Sequence, residues 1–222
     1  TPGTSNFTVR VTDSQTPTPD TDDQALSIVV LDSQTYNVTF QDGVDGYTGT
    51  DDAWLDSDSA TTNYGAAVNG HLQYNTPDRQ VHRFNLSSIP SGSVVNSATF
   101  SIYAYSITGA SSATVNAYRI ITHWEEMQVT YNNRLTSTAW GTPGLLSGTD
   151  YAATLAASAT ATIAAWADFN VSSLVGQWVD GTYTNEGVML VIGTSAHVFN
   201  WLSDTTSSPT LRPKLVVNYT AP

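Results

Sequence analysis

The chain has 222 residues, enough for one large β-sandwich or for a medium domain with a smaller segment attached. Seven Lys and Arg stand against 19 acidic residues, a formal charge of −12, which argues against nucleic acid as a partner and disfavours polyanionic glycans unless Ca²⁺ bridges the two. There is no Cys, hence no disulfide framework and no thiolate metal site, and no run approaches the roughly 20 apolar residues of a membrane-spanning helix.

Residues 1–34 form a segment distinct from the rest of the chain. NFTVRVT alternates Phe7, Val9 and Val11 with Thr8, Arg10 and Thr12, the period of a half-buried strand. Ala25 to Leu31 reads as a second strand, more continuously apolar and so expected to be covered on both faces, and SQTPTPDTDDQ between the two cannot join a sheet ladder. The pair FTVRVTDS…ALSIVV resembles the last two strands of bacterial immunoglobulin-like repeats. The preceding strands of such a repeat are not in the sequence, and an isolated hairpin is marginal in water. These strands are therefore expected to pack on the main domain or to complete a sheet in a neighbouring molecule.

Residues 35–222 read as one all-β domain, a jelly roll or β-sandwich. Its expected strands are TYNVTFQ, HLQYN, QVHRFNL, ATFSIYAYS, ATVNAYRI, QVTYN, ATATIA, ADFNV, VMLVIG, HVFNWLS and KLVVNYT. The Ala-rich tract from Ala152 to Ala167 has helix-forming composition, but its Thr-Ala-Thr-Ala-Thr-Ile alternation and lack of caps predict strand. One short helix is expected at VSSLVGQWVDG, capped by Ser172 or Ser173, burying Leu174, Val175, Trp178 and Val179 and ended by Gly181. Thr1 reads as a mature start, and the Asn-X-Ser/Thr sites at Asn6, Asn37, Asn85, Asn170 and Asn218 suit a secreted chain.

Several long segments succeed one another in a fixed order: DDAWLDSDSATTNYG, VHRFNLSSIPSGSVVNSATFSIY, AYRIITHWEEMQVTYNNR, WGTPG, FNVSSLVGQWVDGTYTNEGVMLV and RPKLVVNYT. Over roughly residues 40–222 they resemble the disaggregatase-related family named DNRLRE, which is grouped with carbohydrate-binding modules. Tyr131 stands where that family usually has Trp, and Asn85 where it usually has Asp. The resemblance implies a jelly-roll fold and a glycan-binding or surface-associated role in an exported protein.

Four constellations bear on chemistry. Asp42, Asp45, Asp51, Asp52, Asp56 and Asp58 alternate with Gly and Ser in a run that can either wrap a hard cation such as Ca²⁺ or remain a solvated acidic loop. Arg83, inside a strand, requires a charged partner; a sheet-corner ion pair of Glu126 with Arg134 or Arg83 accounts for these charges better than a catalytic acid does. His71, His82, His123 and His197 lack metal-ligand spacing and read as satisfied polar residues. Trp54, Trp140, Tyr64 and Tyr151 sit in turn-rich segments and are the candidate sugar platforms, whereas Trp124, Trp166 and Trp178 read as core.

No catalytic constellation emerges, so the chain is expected not to be an enzyme. Two readings remain. In the first, it is an extracellular structural or adhesive subunit, assembling with copies of itself into a filament or surface layer by β-strand addition through Phe7, Val9, Val11, Leu26, Ile28 and Val30. In the second, it is a carbohydrate-binding module that attaches a larger secreted protein to a polysaccharide.

Overall fold

The computed structural model describes residues 3–30, 33–74, 77–203 and 208–222. Contacts divide the chain into two units, Thr1–Gln34 and Thr35–Pro222. In the first, β1 (Gly3–Thr12) and β2 (Thr21–Val30) pair antiparallel, with Ser5 opposite Ile28 and Phe7 opposite Leu26. Directly opposed residues share a face. Phe7, Val9, Val11, Leu26 and Ile28 therefore gather on one face, while Thr8, Arg10 and Asp23 occupy the other, where Arg10 grips Asp23 at 2.6 and 2.7 Å. The apolar face is open, with Ile28 57% and Val11 66% exposed. Leu31 and the side chain of Val30 lie outside the described residues.

The second unit carries β3 (Thr35–Phe40), β4 (Thr50–Leu55), β5 (Asn69–Gln73), β6 (Arg79–Phe84), β7 (Val94–Thr108), β8 (Ser112–Ile120), β9 (Asn133–Leu135), β10 (Thr138–Ala139), β11 (Tyr151–Thr162) and β12 (Ala165–Asn170). The helix α1 (Ser172–Val179) comes next, then β13 (Val188–Ile192), β14 (His197–Trp201) and β15 (Lys214–Thr220). These strands pair antiparallel. One sheet runs β11-β8-β13-β6-β4; the other runs β3-β15-β7-β14-β5, with β12 added to β7, and β9 and β10 form a small separate ribbon.

The two large sheets face each other across one core. Phe40, Phe100, Ile102, Val198, Leu215 and Val217 come from the six-stranded sheet, and Phe84, Val115, Ala117, Val188 and Leu190 from the five-stranded one. This is an all-β sandwich. A second cluster, Ala53, Leu55, Val81, Ile120, Trp124, Val129, Trp140 and Met189, covers the opposite face of the five-stranded sheet. Because β13 is buried on both faces, its sequence VMLVI is continuously apolar rather than alternating.

The Ala-rich tract is strand, as its alternation predicts: β11 pairs along β8 with Ala159 opposite Val115 and Ala161 opposite Ala113. Three local expectations change. QVTYN is not a strand; it runs through the covering segment, where Val129 is buried and the Thr130 carbonyl accepts the Trp140 indole N–H at 3.0 Å. The acidic run holds a strand, β4, because Arg83 lies directly opposite Asp51 and neutralises it. The helix begins without a side-chain cap at Val171, since Ser172 Oγ accepts the Ala98 amide instead; Leu174 and Val175 are its buried positions, and Gly181 at φ +79 comes after its end.

A polar seam crosses the sandwich near β4 and β14. Gln80 Nε2 donates to Asn200 Oδ1 at 2.7 Å, and Asn200 Nδ2 returns a bond to Gln80 Oε1 at 3.1 Å. Asp52 accepts the Ser203 amide at 2.9 Å and its hydroxyl at 3.0 Å, and His82 Nε2 lies 3.1 Å from Gln80 Oε1. Asp52, Gln80, His82 and Asn200 are all fully buried. A buried amide that loses its partner costs about 1–3 kcal/mol. We therefore expect Asn200→Ala to lower unfolding free energy by roughly 2–3 kcal/mol in urea denaturation, the upper part of that range reflecting the added cavity. In a double-mutant cycle, Gln80→Ala and Asn200→Ala should be non-additive.

Candidate functional site

Antiparallel alternation places every second residue of β5, β7, β12 and β14 on the solvent face of the six-stranded sheet. On β7, Ala104 points inward while Tyr103 and Tyr105 point outward; on β14, Val198 and Asn200 point inward while Phe199 and Trp201 point outward. The register then sets the rings side by side. Tyr105 stacks on Trp201 with centroids 4.5 Å apart and contacts Phe199 at 6.3 Å. Phe199 stacks on His71 at 5.3 Å, nearly parallel at 5°. His71 meets Trp54 edge-on at 4.1 Å, and Trp54 meets Tyr64 at 4.5 Å.

Trp54 reaches this array from the edge of the other sheet. A Cβ at Gly70 would stand only 3.1 Å from the Trp54 Cβ, so the missing side chain leaves the indole its place. Across β7, Tyr103 packs edge-on against Trp166 at 5.4 Å, and Lys214 Nζ lies 3.9 Å over the Trp166 ring. Four strands at about 4.8 Å spacing make a half-buried aromatic band about 14 Å across. Asn69, donating to the Tyr105 hydroxyl at 3.2 Å, and the exposed Asp168, which accepts from Ser101 at 2.6 Å, supply polar groups beside it.

Burial pushes the Tyr105 hydroxyl upward in pKa, so it stays protonated. His71 Nε2 lies 3.3 Å from Asp78 Oδ2, a contact that favours the charged pair, yet burial outweighs it on both partners: His71 is pushed down and Asp78 up.

A second concavity opens beside the end of β6. Arg83 is its hub, donating from Nε and Nη2 to Asp51 and from Nη1 to the Trp124 carbonyl and to Glu186, at 3.1 and 3.0 Å. His123 lies between Glu186 at 3.1 Å and Glu125 at 2.7 Å. Gly187, next to Glu186, has φ +80, and its backbone presses so closely on the His82 carbonyl that a Cβ would collide with it. Trp178, Leu86, Ile89 and Asn85 complete a cleft of about 580 Å³.

The candidate residues from the sequence fall in several places. Trp54 and Tyr64 join the aromatic band. Trp140 does not: it is 3% exposed and holds up the second apolar cluster. Tyr151 packs on Tyr118 at the other sheet and takes no part in the band's ring contacts. Trp124 is core, while Trp166 beside the aromatic band and Trp178 at the cleft are half-buried. The six aspartates carry separate tasks: Asp42 accepts the Thr50 amide, Asp51 holds Arg83, Asp52 holds Ser203, Asp56 accepts the Asp58 amide, Asp45 occupies a turn at φ +50, and Asp58 is exposed. Among the described residues no three acidic or imidazole side chains are grouped to hold a metal ion. Arg83 takes Asp51 and Glu186 as partners, while Glu126 Oε1 accepts the Asp52 amide at 2.8 Å and Arg134 donates to the His123 carbonyl. Sequence reasoning missed Tyr103, Tyr105, Phe199 and Trp201, although ATFSIYAYS and HVFNW both place aromatics two residues apart, the signature of one shared face.

The model of carbohydrate-binding module family 96 matches residues 45–219, and the chain belongs to that family. No curated protein matches it. Among the described residues no helix is long and apolar enough to cross a membrane.

A histidine that binds fewer protons folded than unfolded loses stability as the pH falls below its ordinary value of 6.5. The imidazole of His71, followed by NMR, should titrate below 6.5, and Asp78→Asn, which removes a charge favouring its protonation, should lower the midpoint further. A midpoint at or above 6.5 in the unsubstituted protein would contradict burial as the dominant influence.

Proposed function

We propose that this member of carbohydrate-binding module family 96 is a non-catalytic, exported module that holds neutral polysaccharide on the aromatic face of its six-stranded sheet. One observation carries the reading: Tyr105, Trp201, Phe199, His71, Trp54 and Tyr64 form one unbroken series of ring contacts on the face of a rigid sheet. Pyranose rings present flat CH faces that desolvate well on such surfaces, and rings locked by their neighbours lose little rotamer freedom on binding. Asn69, Asp168 and the Tyr105 hydroxyl are placed to accept or donate at the sugar rims. The chain's charge of −12 and its single lysine, Lys214, support a neutral rather than a polyanionic glycan.

The test is affinity electrophoresis and calorimetry on neutral β-linked polysaccharides. Trp201→Ala and Tyr105→Ala should each weaken binding at least about tenfold, the loss of one stacked ring, with little change in melting temperature. Unchanged affinity in both variants would dispose of the reading.

A second reading, assembly into a filament or adhesive layer, draws on the open apolar face of Phe7, Val9, Val11, Leu26 and Ile28. Among the described residues β1 and β2 pair only with each other, leaving outer edges suited to strand addition. In this reading they are two strands of an immunoglobulin-like repeat that complete a sheet elsewhere. Sedimentation of the full chain should then show concentration-dependent growth that Phe7→Asp with Ile28→Asp abolishes; a monomer at all concentrations would exclude it.

A further inference from the structure

We propose that the cleft around Arg83 is a second saccharide site, separate from the aromatic face, and that it takes an amine-bearing sugar, a hexosamine unit. The cleft has a volume of about 580 Å³, within the range of about 300–1,000 Å³ usual for small-molecule sites. Its wall is the half-buried Trp178 with Leu86, Val179 and Ile89; its floor is charged.

The charges choose the ligand. The Arg83 guanidinium is already engaged at Nε, Nη1 and Nη2 by Asp51, Glu186 and the Trp124 carbonyl. Little of this cation is left to meet an anionic group. Each carboxylate, by contrast, spends one oxygen on Arg83: the bonds of Asp51 use Oδ2 and those of Glu186 use Oε2. Among the described residues the opposite oxygens, Asp51 Oδ1 and Glu186 Oε1, take no hydrogen bond and remain as acceptors. Glu125 adds a third negative charge behind His123. The half-buried Trp178 lines the same cleft and gives it an aromatic wall. A ligand that suits both carries an ammonium for the carboxylates on a ring whose CH face packs against the indole and the apolar wall. A 2-amino sugar has that arrangement on one ring.

The experiment uses the full chain in calorimetric titrations with the β-1,4-linked glucosamine tetramer, its fully N-acetylated counterpart and the matching glucose tetramer, supported by NMR of the Trp178 indole resonance. The amine tetramer should bind, shift that resonance and weaken as salt rises, and N-acetylation should cost about tenfold or more. Ser91→Trp, at the exposed rim of the cleft, should abolish the binding while leaving the net charge unchanged, which separates a specific site from general attraction of a polycation to an acidic protein. Glu186→Gln should weaken it about tenfold, a charge-assisted bond being worth roughly 1.5 kcal/mol. Should Glu186→Gln unfold, Ser91→Trp still decides, because it leaves the Arg83 ion pairs in place. Trp201→Ala should not affect this binding, so failure at the aromatic face leaves the result intact. Equal binding of the amine and N-acetylated tetramers, or full binding by Ser91→Trp, would overturn the proposal.

Discussion

The aromatic face depends on the buried polar seam between the sheets. Gln80 on the five-stranded sheet and Asn200 on the six-stranded sheet exchange two hydrogen bonds in a fully buried setting, and Asp52 adds two more to Ser203. Apolar packing tolerates small slips, whereas a paired amide tolerates almost none, because sliding by one residue leaves two buried groups unsatisfied. Asn200 lies between Phe199 and Trp201, and Asp52 lies two residues before Trp54. Fixing the inward Asn200 therefore fixes the outward rings on its two sides, since a one-residue shift would turn them into the core.

Arg83 plays the corresponding part at the cleft. It stands opposite Asp51 on the neighbouring strand, its guanidinium lies 5.0 Å from the Trp124 ring, and it reaches Glu186 on the loop before β13. Trp124 in turn donates its indole N–H to the Glu186 carbonyl at 2.9 Å. An arginine with one carboxylate at a sheet surface contributes little. One that is 16% exposed, engaged by two carboxylates and a carbonyl, and set over a buried indole joins a strand pair to two loops and gives the cleft a rigid floor.

The fold class was legible in the sequence because short strands of period two, broken by turn residues, leave little else for a chain of this length. The strand in the Ala-rich tract was legible for the same reason, its Thr-Ala alternation outweighing the helix propensity of alanine. QVTYN misled because the same alternation arises when a covering segment presents Val129 to a sheet without joining it. Trp140 misled because turn residues around an aromatic indicate an irregular backbone, not an exposed ring; here the irregular segment itself roofs the second cluster. β4 was hidden because aspartates are poor strand formers until a cross-strand arginine and a buried serine take up their charge.

What the sequence determined by itself is local and periodic: which residues alternate, where the chain turns, that the assembly is all-β, and that a strand arginine must find a carboxylate. Which carboxylate it finds was decided only by the tertiary structure, since Asp51 and Glu186 lie 32 and 103 positions away. The aromatic face is of the same kind. Trp54, His71, Tyr105 and Trp201 come from four different strands, and their contacts exist only because the order β7-β14-β5 and the closure of β4 over that edge bring distant stretches together. Alternation tells a side chain which way to point, but the pairing of non-neighbouring strands tells it whom to meet, and that pairing is a property of the whole packed sandwich.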